Sequence, residues 1–134
     1  MIDGDRVVYD VHYAHPPDTV WRAITDSAAL ARWLMPNDFV PEVGHQFTMD
    51  ASPNFGVIDA TVLLVEPPRL LECEWMINGE PTIVRIELRP DGDGTRLSLE
   101  HRGLASEHQA EFDGGWDSKL RDDLTLVLQG DTKP

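Results

Sequence analysis

The chain is short of basic residues, of cysteine and of long apolar runs, and each shortage removes a class of function. Eleven Lys and Arg face twenty-four Asp and Glu in 134 residues, a formal net charge of −13. A phosphate backbone or an anionic membrane surface is repelled by such a field, so neither nucleic acid nor membrane is expected as a partner. Cys73 stands alone. It excludes an intramolecular disulfide and leaves no basis for a cysteine metal site. No stretch approaches the roughly 18 apolar residues of a membrane span. The opening MIDGDRVVYD places acids where a signal peptide needs a basic start and an apolar run. These absences point to a cytoplasmic protein. His12, His15, His45, His101 and His108 show no paired metal-ligand spacing. No glycine-rich phosphate loop, nucleotide fingerprint or GxSxG elbow occurs either, so neither a metal nor a cofactor is expected.

What is present is the mix of an ordinary globule, 41% hydrophobic and 26% charged. The length suits one domain spanning 1–134, with a core at about residues 5–129, large enough to enclose a cavity. Val7, Tyr9, Val11 and Tyr13 alternate over Arg6 to Tyr13, as in a strand with one buried face. His15-Pro16-Pro17 stops that strand, and Val20, Ala23 and Ile24 follow at helical spacing. Asp26 or Ser27 can cap a second short helix from Ala28 to Leu34. Strands are then predicted at Gln46–Asp50, Gly56–Glu66, Arg69–Ile77, Thr82–Arg89 and Thr95–Arg102, separated by Pro67-Pro68, Asn78-Gly79 and Asp91-Gly92-Asp93-Gly94. Links this short mean an antiparallel meander. The acids Glu72, Glu74, Glu87 and Glu100 would alternate outward as an acidic solvated face.

A long helix ends the chain. Ser106 and Gln109 form a capping-box pattern, and Phe112, Trp116, Leu120, Leu124 and Val127 make one apolar stripe. Gly130 reads as its stop, with DTKP as a loose tail. Gly114-Gly115 is odd inside it, since helical glycine costs about 1 kcal/mol against alanine. Close approach to the sheet, or a local bend, would account for the pair. The expected class is α+β: a curved antiparallel sheet of about six strands gripping a long C-terminal helix, with two short helices after the first strand.

The strings VWRAITDSAALARWLMP, PPRLLECEW, GDGTRLSLEHRGL and GGWDSKL occur in this order. Together they resemble the SRPBCC superfamily, with the helix-grip fold of START domains and birch-pollen allergens. More narrowly they resemble its branch related to activators of the heat-shock-protein ATPase. The resemblance covers roughly Asp5 to Gln129. It implies a cavity between sheet and helix, in a superfamily whose members bind lipids, hormones or polyketides and in some cases cyclise polyketides.

Candidate site residues follow from the inward positions. Trp33, Trp75 and Trp116 come from three elements and would give an aromatic-lined pocket, or plain core. Phe39, Phe47, Met49, Ile77 and Leu120 are wall candidates. His101 follows Leu97 and Leu99 inward. It is either a cavity histidine capable of acid–base work or one satisfied by hydrogen bonds. In the resembled branch a histidine occupies the matching position. Asp113 and Asp123 interrupt the helix stripe, and a carboxylate inside the cavity could fix a polar group or serve as a base. Three functions are consistent with this: a binder of a small apolar ligand, which the inward aromatics favour; a cyclase- or hydrolase-like enzyme using His101 with Asp113 or Asp123; and a protein-interaction module regulating a chaperone ATPase. An exposed strand edge or apolar patch would allow a homodimer.

Overall fold

The computed structural model describes residues 1–52 and 55–131. In chain order it comprises β1 (Ile2–Asp3), β2 (Arg6–Tyr13), α1 (Pro17–Thr25), α2 (Ser27–Trp33), β3 (Gln46–Ala51), β4 (Gly56–Glu66), β5 (Leu70–Ile77), β6 (Glu80–Asp91), β7 (Gly94–Arg102), α3 (Ser106–Ser118) and α4 (Leu124–Asp131). A π-helical turn, Lys119–Asp123, joins α3 to α4, so the chain runs helically from Ser106 to Asp131. All seven strands pair antiparallel in one sheet of order β1-β2-β7-β6-β5-β4-β3. This is the helix-grip arrangement that the resemblance implied. The seventh strand is β1, a two-residue hairpin arm turned back at Gly4 with φ of +66°. It lies outside the quoted motifs and is too short to alternate legibly.

Local chemistry sets these elements. The Asp26 carboxylate accepts from the Ala29 N–H at 3.0 Å and so caps α2. Asn78 and Gly79, at φ of +52° and +82°, make the tight β5–β6 turn. Strand parity then sorts side chains between two faces. Cys73, Trp75 and Ile77 of β5, Val84, Ile86 and Leu88 of β6, and Leu97, Leu99 and His101 of β7 are all buried beneath the helices. Burying such apolar side chains contributes about 1.5–3 kcal/mol each before the entropy of ordering is charged against it.

The helix answers with Trp116, Leu120, Leu124 and Leu128, all buried. In a straight α-helix a four-residue repeat drifts by about 40° per step, so this stripe would rotate about 120° away from the sheet. The π-turn adds a residue in the middle of it and returns Leu124 and Leu128 to the inner face.

Four local expectations need correction. The capping box does not form: Ala105 is the cap, Ser106 already lies in the helix, and the Gln109 amide reaches back to the Leu104 carbonyl at 3.2 Å. Gly130 does not stop the helix, which runs on to Asp131, while 132–134 of the tail lie outside the described residues. Gly114 and Gly115 do not serve close packing, because an added Cβ would meet nothing within 4 Å at either position. The outer sheet face is not simply acidic: Glu72 pairs with Arg85, Glu87 with Arg69, and Glu100 with both Arg6 and Arg102. Among the described residues no helix is long and apolar enough to cross a membrane.

Candidate functional site

The space between sheet and helices is nearly filled by side chains. What remains inside is a void of about 30 Å³, whose lining includes Trp33, Phe39, Phe47, Met49, Trp75 and Trp116. That is room for one ordered water at most two. Immediately outside lies an open groove of about 420 Å³, between the end of α2, the β3–β4 hairpin and α3. Leu34, Trp75 and Trp116 line both spaces and are therefore the partition between them.

Each wall is held locally. Asn37 accepts from the Ser27 hydroxyl and the Phe39 N–H, both at 2.9 Å, and donates to the carbonyls of Ser27 and Met35. It thereby folds the segment after α2 so that Phe39 packs edge-on against Phe47, with ring centroids 5.1 Å apart. The Trp33 indole donates to the Ala23 carbonyl at 2.8 Å, locking α2 against α1. Trp75 and Trp116 lie 5.5 Å apart in a tilted pair, and Phe55 meets Phe112 at 4.9 Å at the groove's outer end.

Behind the tryptophan pair sits His101, fully buried. Its Nδ1 accepts the Trp116 indole N–H at 3.1 Å, which places the ring proton on Nε2. Nε2 then donates to the Thr82 hydroxyl at 2.8 Å, and that hydroxyl donates to the Trp75 carbonyl, also at 2.8 Å. Burial pushes the imidazole pKa down to about 3. Both nitrogens are thus engaged by protein, and the ring's role in this arrangement is to fix Trp116 relative to β5 and β6.

The structure separates the remaining candidates from the void. Asp113 lies on the far side of α3, where it pairs with the Met1 ammonium at 2.5 Å and accepts from the Tyr9 hydroxyl at 2.6 Å. Those two partners hold its carboxyl below the usual range. Asp123 is half-buried in the π-turn, which has moved it off the position that a straight helix would give it. Neither carboxylate meets His101. Ile77 lines a separate shallow pocket beside the β5–β6 turn, and Leu120 is sealed in the core, its carbonyl accepting from Tyr13 at 2.6 Å.

Most of the groove escaped sequence reasoning, Met35, Phe55, Gly115, Lys119 and, as a partition, Leu34 among it. Gly115 carried a signal, being a costly residue in a helix, but its use is an opening in the groove wall rather than tight packing. Lys119 follows it by four residues, one turn along the same face, and its ammonium donates to the Leu34 carbonyl at 2.7 Å. That contact ties the π-turn to the end of α2, where a helix's carbonyls lack partners. Among the described residues no three His, Cys, Asp or Glu side chains converge as metal ligands.

Comparison with known proteins agrees with this geometry. The family described as Activator of Hsp90 ATPase homolog 1-like protein matches residues 14–129. Among curated proteins none matches the sequence. Protein MLL2253 from Mesorhizobium loti is 32% identical, with 96% of this chain and 99% of that chain covered and a TM-score of 0.84. CalU16 from Micromonospora echinospora is 28% identical over 94% of this chain and 77% of that one, at a TM-score of 0.80. DynU16, a protein in the dynemicin biosynthetic locus, is 25% identical at a TM-score of 0.82, over 95% of this chain but only 48% of its own.

Proposed function

The chain belongs to the Activator of Hsp90 ATPase homolog 1-like family, and we propose that it binds a small, mainly apolar molecule at the groove between the sheet and the C-terminal helix. The observation that carries this reading is the shared wall. A groove of about 420 Å³ already falls within the usual range for small-molecule sites, and only Leu34, Trp75 and Trp116 divide it from the interior void. A ligand lying in the groove would rest on two tilted indoles, large rigid surfaces that lose little entropy on contact. Rotation of the Leu34 side chain would add the inner void to the site.

A cyclase- or hydrolase-like reaction through His101 has less support, because its two nitrogens would first have to leave Trp116 and Thr82. The similarity to a protein in a biosynthetic locus is compatible with either a carrier or a catalyst of an apolar natural product.

The test is a thermal-shift panel of acyl chains, sterols, flavonoid-like aromatics and polyketides. A ligand at 100 times its dissociation constant adds about 2.7 kcal/mol, or roughly 10 °C in Tm at this chain length. Gly115→Phe would fill the groove from a position with open space, and Gly114→Ala, on the exposed side, is the control. The expected outcome is a shift that Gly115→Phe removes and Gly114→Ala retains. A shift that survives Gly115→Phe places the ligand elsewhere and overturns the reading. No shift with any class does the same and turns attention to a protein partner.

A further inference from the structure

Lys119 is the one cationic side chain among the described residues that line the groove, and the chain has only one other lysine, Lys133. Its position is unusual for so strongly hydrated a group. It is half-buried on the wall that carries Phe112, Gly115 and Trp116. Its ammonium has three donors, of which the Leu34 carbonyl takes one. No carboxylate among the described residues forms an ion pair with it. This is notable in a molecule with a net charge of −13, whose neighbouring Arg121 is paired with Asp117 at 2.7 Å.

Two acids share the groove. Asp50 accepts from the Ser52 N–H at 3.0 Å through Oδ1, and Glu111 is exposed on α3; neither forms an ion pair with Lys119. Gly115, one turn before Lys119 on the same groove wall, leaves open the space that a side chain would otherwise take. A partly desolvated cation with spare donors, next to an apolar trough, matches a ligand with an apolar body and one anionic acceptor.

We infer that the groove takes an amphipathic monocarboxylate, its carboxylate on Lys119 Nζ and its apolar body running past Gly115 against Phe112, Trp116 and Trp75. This inference rests on the reading of the groove as a ligand site and adds the class of head group to it. The carboxylate would accept the two remaining ammonium N–H groups while the Leu34 carbonyl keeps the third.

Decanoate, decanol and decylamine share one chain and differ in head group, and tryptophan fluorescence from the Trp75–Trp116 pair reads their binding. The wild-type protein is expected to bind decanoate about tenfold or more tightly than decanol. Lys119→Gln should bring the two within about twofold, chiefly through loss of decanoate affinity. Lys119→Arg should keep the preference, and raised salt should shrink it. Melting curves of both variants establish that they are folded. Equal affinity for decanoate and decanol, a preference for decylamine, or an unchanged preference in Lys119→Gln would overturn the head-group assignment and leave the groove reading standing. Failure of all three probes, with shifts from other members of the ligand panel, overturns the aliphatic carboxylate alone. Failure of every compound removes the groove reading as well.

Discussion

At the scale of single residues, His101 shows what a strand pattern discloses and what it withholds. Its inward direction was legible from the parity of Leu97 and Leu99. Its partners were not, since Thr82 lies on the neighbouring strand and Trp116 on a helix fifteen residues away, and no spacing rule joins them. The hydrogen-bond chain also makes a pH prediction. Native His101 stays neutral down to about pH 3, whereas an unfolded histidine takes a proton near 6.5. Between those values the unfolded state binds the extra proton, so this residue's contribution is complete above pH 6.5 and is lost as pH falls. The slope approaches about 1.4 kcal/mol per pH unit. Urea denaturation of wild type and His101→Gln at pH 7, 6, 5 and 4 isolates that share, because the carboxylates are common to both. The stability advantage of the wild type should narrow steadily with acid. A constant difference across the series would show that His101 is already solvated in the native state.

At the scale of elements, the strands were the readable part. Alternation in β2, β5, β6 and β7, together with the Asn78-Gly79 turn, is written in residue types whose side chains must choose a face. The acidic helix carries a less visible device. Trp116, Leu120, Leu124 and Leu128 are spaced by four, and only the π-turn makes that spacing face one way. Propensity offers no code for such a turn, so the straight-helix projection misplaced Asp123. Removing one residue there should convert the turn to ordinary helix and leave a four-three-four stripe, the natural α-helical repeat. Deletion of the exposed Asp122 is therefore expected to preserve a cooperative transition and cost less than about 1 kcal/mol. Insertion of an alanine after Asp122 would instead rotate Leu124, Val127 and Leu128 by about 100° and cost several kcal/mol. Denaturant midpoints of the two variants check this, and equal losses would refute the role given to the turn. The groove belongs to this scale too. Its members come from the end of α2, the β3–β4 hairpin, β5, α3 and the π-turn, elements that the sequence orders along the chain but does not bring together.

At the scale of the molecule, the charge is distributed unevenly. Part of the outer sheet face is compensated, with Arg96 bridging Asp10 and Asp91, and Arg89 also reaching Asp10. Such exposed pairs contribute little each. The acids without a cationic partner among the described residues weigh on the rest, among them Glu111 and Asp122 along the C-terminal helix. Self-repulsion should then dominate the response to salt, and the urea midpoint should rise as NaCl goes from about 20 to 300 mM. A falling midpoint would mean that the ion pairs outweigh the net charge. The sheet order has a different kind of consequence, in time. β2 finds its partner in β7, through pairs from Tyr13↔Thr95 out to Arg6↔Arg102, more than eighty residues along the chain. A ribosome adding roughly 5–20 residues per second leaves β2 waiting for about 4 to 20 s before β7 exists. During that interval Val7, Val11 and Tyr13 have a hairpin arm on one side and an open edge on the other. The amino-terminal strand is synthesised first and seated last, so the nascent chain is most open to wrong pairing while the ribosome is still building the middle of the sheet.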